Sequence, residues 1–167
     1  IIPLVAKVFK KIALKNKITQ LEKRIGEKFS FDSISGNSEK IKEVRDLAKK
    51  VAATDVPVLI SGETGTGKEI LAQAIHNGSN RSHATMVTIN CSAIPKDLIE
   101  SELFGYKAGA FTGALKNKKG LFEEAHTGTL FLDEVGELEP SAQSKLLRVI
   151  ETNSYLKTGD TVETKVD

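Results

Sequence analysis

The chain has 167 residues, enough for one ordinary domain with a buried core. With 40% hydrophobic and 28% charged residues and 4 prolines, its composition argues for a soluble globular protein rather than disorder, and no apolar run is long enough to span a bilayer. The single cysteine, Cys91, excludes an internal disulfide, and His76, His83 and His126 are scattered without ligand spacing, so no structural metal is expected. A formal charge of +2 gives no global reason to expect nucleic-acid binding.

In chain order, the first 28 residues hold good helix formers, a basic cluster (Lys7, Lys10, Lys11, Lys15, Lys17, Lys23, Arg24, Lys28) and an apolar seam at Leu14, Ile18, Leu21 and Ile25. That spacing fits either a dimerising coiled coil or an amphipathic linker helix packed on its own domain. The cluster lacks a recognisable reading helix, so it reads as a solvated helix face rather than a DNA-binding one. No secretory signal is read at the start, and the cytoplasm is the expected compartment, with no membrane partner. Residues 29–36 read as a loop. Ser38 then predicts the cap of a helix whose Ile41, Val44, Leu47, Ala48 and Val51 line one face. The short apolar run 56–60 predicts a buried parallel strand, residues 68–77 a helix ending near Gly78, and 86–90 a second strand. A helix around 95–103, a third strand at 129–132 and a helix from about Pro140 carrying Leu146, Leu147 and Ile150 complete the pattern. Strands alternating with helices predict an α/β fold on a parallel sheet.

Between the first predicted strand and its helix lies Gly62-Glu63-Thr64-Gly65-Thr66-Gly67-Lys68. Three glycines allow backbone angles closed to other residues, so that successive amides can surround phosphate oxygens at a helix N-terminus. Lys68 would set a cation against the β and γ phosphates of a nucleotide such as ATP. Where such loops generally place a serine or threonine on magnesium, this chain has Glu69, which can act through a water or be structural. Further on, Leu130-Phe131-Leu132 runs into Asp133-Glu134. Asp133 is suited to hold Mg2+, directly or through water, and Glu134 to orient and deprotonate an attacking water. Alone, such a pair fits a solvated turn equally well. Downstream of a phosphate loop, the catalytic reading gains weight.

The stretch Glu100-Ser101-Glu102-Leu103-Phe104-Gly105-Tyr106-Lys107-Ala108-Gly109-Ala110-Phe111-Thr112-Gly113-Ala114 resembles the AAA+ domain of sigma-54-dependent transcriptional activators, the bacterial enhancer-binding proteins. Residues 62–69, Asn90-Cys91, Gly128-Thr129 through Glu134, and Lys145-Leu146-Leu147-Arg148-Val149 are similar to the same family, and Glu69 belongs to its pattern. The resemblance runs from about Phe29 to the end. It implies a P-loop AAA+ parallel sheet flanked by helices, with ATP and Mg2+ as cofactors and ATP hydrolysis used to remodel sigma-54 RNA polymerase holoenzyme. It implies that Gly109, Ala110, Phe111, Thr112, Gly113 and Ala114 form the sigma-54 loop. Phe111 and Thr112 would touch sigma-54, and the loop would rise or fall with nucleotide state. It also implies that Asn90 is a switch holding Glu134 from water until the partner is engaged.

The same resemblance divides the chain into a linker helix, residues 1–28, and the N-terminal part of the AAA+ domain, residues 29–167. The linker is similar to the one that follows a receiver domain in two-component members. Sequence beyond Asp167 is expected to supply a central strand between the phosphate-loop and acidic strands, arginine fingers, a helical lid and a DNA-binding helix-turn-helix. The chain alone is therefore expected to be unstable, and the whole protein to form a ring, commonly a hexamer. Two other readings stay open: a non-catalytic nucleotide-dependent interaction module, and another AAA+ remodelling ATPase.

Overall fold

The computed structural model describes residue 17 and residues 29–167. Apart from Lys17, the predicted linker helix with its seam and basic cluster lies outside the described residues. Contacts group the described chain into two units, one up to Ser79 and one from Asn80.

In the first unit a single 3-10 turn, Phe31–Ser33, precedes α1, Glu39–Ala52. Ser38 starts α1 as predicted, its Oγ accepting from the Ile41 amide, while Glu39 in the first turn and Lys49 and Lys50 in the last complement the helix dipole. The buried face is narrower than the apolar periodicity predicts: Ala48 and Ala52 are buried, whereas Val44 and Leu47 are exposed. The second helix, α2, spans Lys68–Asn77, packs on α1 and buries Ala72, Ala74 and His76. Its C-terminal end is tied to the entering chain: Asn77 Nδ2 donates to the Phe29 carbonyl at 3.1 Å, and a Cβ on Gly78 would stand 2.5 Å from the Phe31 ring. The strand expected at 56–60 is not formed. Among the described residues nothing pairs with it, and Val56, Val58 and Leu59 are exposed. A parallel strand owes its hydrogen bonds entirely to neighbours, so an apolar run without a partner supplies no ladder.

The second unit is built on two parallel strands, β1 (Met86–Asn90) and β2 (Thr129–Asp133), in a register that sets Met86 beside Thr129 and Asn90 beside Asp133. Three helices accompany them: α3 (Lys96–Phe104), α4 (Leu121–Glu124) and α5 (Pro140–Thr152). Proline opens α5, where its missing N–H costs nothing, and Asn153 closes it in the left-handed region at φ 52°. A hairpin that the sequence did not announce follows, with β3 (Ser154–Leu156) antiparallel to β4 (Glu163–Lys165). The core gathers Cys91, Ile99, Leu103, Phe104, Leu138, Ala142, Val149 and Tyr155. Its aromatic centre is Phe104, stacked on Phe122 at 5.4 Å and tilted against Tyr155 at 5.5 Å. On α5 the buried residues are Ala142 and Val149, while the predicted Leu147 and Ile150 face solvent. The Lys145–Glu100 ion pair joins α5 to α3, and Lys157 is paired with Glu123 of α4. No helix among the described residues is long and apolar enough to cross a membrane.

Candidate functional site

The phosphate-type loop is shaped by its glycines. Gly65 and Gly67 both hold positive φ, 82° and 86°, and Gly67 caps α2 from the left-handed region. A Cβ on Gly65 would meet nothing within 4 Å, so glycine is required there for the backbone angle and not for want of space. Thr66 braces the turn, its Oγ1 donating to the Glu63 carbonyl at 2.8 Å. Lys68 reaches back over the same turn, its Nζ donating to the Gly62 and Glu63 carbonyls at 3.1 and 2.9 Å. One ammonium group, the left-handed turn and the first-turn amides of α2 thus lie together in one short exposed segment, a donor set with the chemistry of an anion site. Thr64 is an exposed residue of this turn, and Glu69 lies exposed in the first turn of α2.

At the carboxyl ends of the parallel strands, the register brings Asn90 and Asp133 side by side. Asp133 Oδ1 accepts from the Glu134 amide at 3.0 Å. Glu134 itself sits at φ 52°, ψ 42°, a left-handed angle unusual for a residue with a side chain, and so turns its exposed carboxylate off the line of β2. Both carboxylates lie near the buried Cys91. Burial raises its thiol pKa first, with the charges of Asp133 and Glu134 adding to the shift. The oxygen end of the Asn90 amide is engaged with Ser92 and not with Glu134: Oδ1 accepts from the Ser92 amide at 2.9 Å and from its hydroxyl at 2.7 Å.

The third predicted element, residues 109–114, is a closed loop. Its neck is the bond from the Gly109 amide to the Ala114 carbonyl at 2.8 Å, with Gly109 at φ 84° and Gly113 at φ 99°. Ala114 is buried, while Phe111, Thr112 and Gly113 are exposed. Phe111 rests edge-on against Tyr106, with ring centroids 4.9 Å apart. Two flanks hold the base of this loop. On one, Tyr106 bridges to Lys118 and Asn117 Oδ1 accepts from the Ala108 amide. On the other is the turn between β3 and β4: the Lys107 amide donates to Thr158, Lys107 Nζ lies 3.4 Å from Asp160, and a Cβ on Gly159 would stand 2.7 Å from Ala110. Amides of Val162 and Thr161 and the Lys107 cation hold the Asp160 carboxyl below its ordinary pKa, the Val162 amide most of all.

The sequence sets Asp133 and Glu134 at the end of one strand and the family resemblance links Asn90 to Glu134; in the structure Asn90, on the neighbouring strand, is in register with Asp133. Sequence reasoning missed Asn117, Gly159, Asp160 and Ser92. The signal available was short polar turn residues beside the motifs, the Gly159-Asp160 pair above all, which reads as a turn.

The family described as "Sigma-54 interaction domain" matches residues 34–167. Nitrogen fixation protein AnfA of Azotobacter vinelandii is 47% identical over 157 residues, covering 94% of this chain and 30% of AnfA. Phenol regulator MopR of Acinetobacter guillouiae is 48% identical over 160 residues, covering 93% of this chain and 29% of MopR. The solved structure of NtrX from Brucella abortus in complex with ATP matches at a TM-score of 0.76 and 32% identity, covering 99% of this chain and 34% of NtrX. The chain thus spans about a third of the length of the relatives it matches.

Proposed function

The chain belongs to the sigma-54 interaction domain family, with the AAA+ α/β fold, and from that premise we propose that it is the nucleotide-binding part of an ATP-driven activator that remodels sigma-54 RNA polymerase. The observation that carries this reading is the conjunction, in one chain, of an anion-shaped turn over Lys68 and an unaltered Gly-Ala-Phe-Thr-Gly-Ala loop that exposes Phe111 and Thr112.

The residues fit the nucleotide. Gly62, Glu63, Thr64, Gly65, Thr66, Gly67 and Glu69 would wrap the phosphates, and Lys68 would exchange its two carbonyl partners for phosphate oxygens. Asp133 would hold Mg2+, whose charge, when bound, offsets that of the phosphates. Glu134 would orient water and take its proton, and the Asn90 amide would restrain Glu134 until the polymerase is engaged. Phe111 and Thr112, on the loop of Gly109, Ala110, Gly113 and Ala114, would contact sigma-54. The whole protein would be a cytoplasmic ring that reaches DNA through another domain.

The test is turnover in the full-length protein. Lys68→Ala loses nucleotide binding and turnover; Glu134→Ala keeps binding and loses turnover; Phe111→Ala keeps turnover and loses open-complex formation with sigma-54 polymerase. Unchanged turnover in both of the first two variants overturns the catalytic assignment. Binding without hydrolysis by the unsubstituted protein favours a non-catalytic interaction module instead.

A further inference from the structure

We infer that Ser92 is a positioning residue, which fixes the end of the Asn90 side chain that can meet Glu134. The inference rests on the reading of Asn90 as the group that restrains that carboxylate.

An asparagine amide has an accepting oxygen at one end and two donor hydrogens at the other, and only the donor end can hold a carboxylate. Which end faces the acidic strand is a question of what fixes the other. Asn90 leaves β1 at φ −96°, ψ 116° and caps the 3-10 turn Cys91–Ala93. There its oxygen takes two hydrogen bonds from one residue, the Ser92 amide at 2.9 Å and the Ser92 hydroxyl at 2.7 Å. The backbone N–H of Ser92 can only donate, so an inverted side chain would set N–H against N–H. The hydroxyl supplies a second bond in the same sense and fills the remaining lone pair. With Oδ1 held by Ser92, Nδ2 is the end left for an acceptor, and the parallel register sets Asn90 beside Asp133, one residue before Glu134. Ser92 is itself exposed, so its hydroxyl is not needed to satisfy a buried group. Its geometry is accounted for by the bond to Asn90.

Removing that hydroxyl leaves the amide bond of residue 92 and loses the other, so the Asn90 side chain inverts or swings more often. Each such excursion frees Glu134. A single neutral hydrogen bond corresponds to roughly a twofold to tenfold change in the population of the held state. Ser92→Ala in the full-length protein is therefore expected to raise ATP turnover without polymerase by roughly twofold to tenfold, with ADP affinity unchanged. Ser92→Thr, which keeps the hydroxyl, restores the unsubstituted rate. In an Asn90→Ala background the same Ser92→Ala change has no effect, because the group it positions is gone.

Hydrogen exchange at the amide of residue 92 gives a readout independent of turnover: it quickens in Ser92→Ala by a similar factor and further in Asn90→Ala. Equal effects of Ser92→Ala on turnover with and without Asn90 overturn the proposal, as do unchanged turnover and exchange in Ser92→Ala alone. Should Asn90→Ala leave turnover unaltered while Lys68→Ala abolishes it, the restraint by Asn90 is itself refuted, and the exchange result still reports whether Ser92 pins the amide.

Discussion

Phe104 ends α3 immediately before the loop that carries Phe111, and its replacement gives the most direct measure of what supports that loop. The ring is 0% exposed. It stacks on Phe122 at 5.4 Å with planes 14° apart, tilts against Tyr155 at 5.5 Å, and has the Lys145 ammonium 5.6 Å from its centroid. Truncation to alanine removes the buried area and opens a cavity between two rings, which costs about 3–5 kcal/mol in cores of this kind. Phe104→Leu keeps much of the apolar volume and loses the two ring pairs, each worth about 0.5–1.5 kcal/mol, so it is expected to cost about 1–3 kcal/mol. The chain has 2 tyrosines and no tryptophan, and Tyr155 is buried in this cluster. Near-ultraviolet circular dichroism during urea unfolding therefore reports on this unit specifically. A loss below about 1 kcal/mol for Phe104→Ala, or equal losses for alanine and leucine, would refute the view that the aromatic cluster holds the unit together.

Tyr155 has a buried hydroxyl with no hydrogen-bond partner among the described residues, and burial with the nearby Glu123 charge pushes its pKa up to about 12. Since this folded-state value exceeds the ordinary 10.0, stability is complete below pH 10 and falls as pH rises toward about 12; Tyr155→Phe should flatten that fall and leave neutral-pH stability unchanged or up to about 1 kcal/mol higher. The Lys157 hydrogen bond holds the Glu123 carboxyl below its ordinary 4.5, so its contribution is present above that value and lost as pH falls through the lowered one. Glu123→Gln is expected to cost about 1 kcal/mol at neutral pH and to blunt acid unfolding in a pH-jump series. Gly128→Ala would drive a Cβ to 2.1 Å from the Thr85 carbonyl oxygen and should yield little folded protein, whereas Gly109→Ala meets nothing within 4 Å and loses only about 1–2 kcal/mol of local loop stability for its positive φ. Soluble yield and melting temperature of the two variants separate these outcomes.

What was legible in the sequence was local chemistry. Ser38, the turn ending in Gly67, and the apolar runs bounded by Asn90 and Asp133 each carry their own boundary signal, and α1, α2, β1 and β2 fall where those signals place them. Pairing was not legible. The run at 56–60 has the composition of a buried strand, but composition does not supply a neighbour, and among the described residues it forms no ladder. The hairpin of β3 and β4 escaped notice for the opposite reason: Glu163, Thr164 and Lys165 show no apolar alternation, and their pairing with Ser154, Tyr155 and Leu156 depends on the turn at Gly159. Helix faces were misjudged where large apolar residues outbid small ones, so Leu47, Leu147 and Ile150 were preferred over Ala52, Ala142 and Val149. The site fared similarly: its motif residues stood out, while Ser92 and Asn117, which hydrogen-bond the Asn90 side chain and the Ala108 amide, are ordinary polar residues recognisable only once those bonds are seen.

The left-handed backbone at Glu134 sets the preferences of that position at odds with one another. At φ 52° a residue with a Cβ costs about 1 kcal/mol relative to glycine, which adopts the angle freely. If the carboxylate is the base, every substitution at 134 can be ranked twice: by folding yield glycine should stand above glutamate, and by turnover glutamate should stand above all others. A library selected only for expression would therefore drift away from glutamate here, while one selected for activity would hold it.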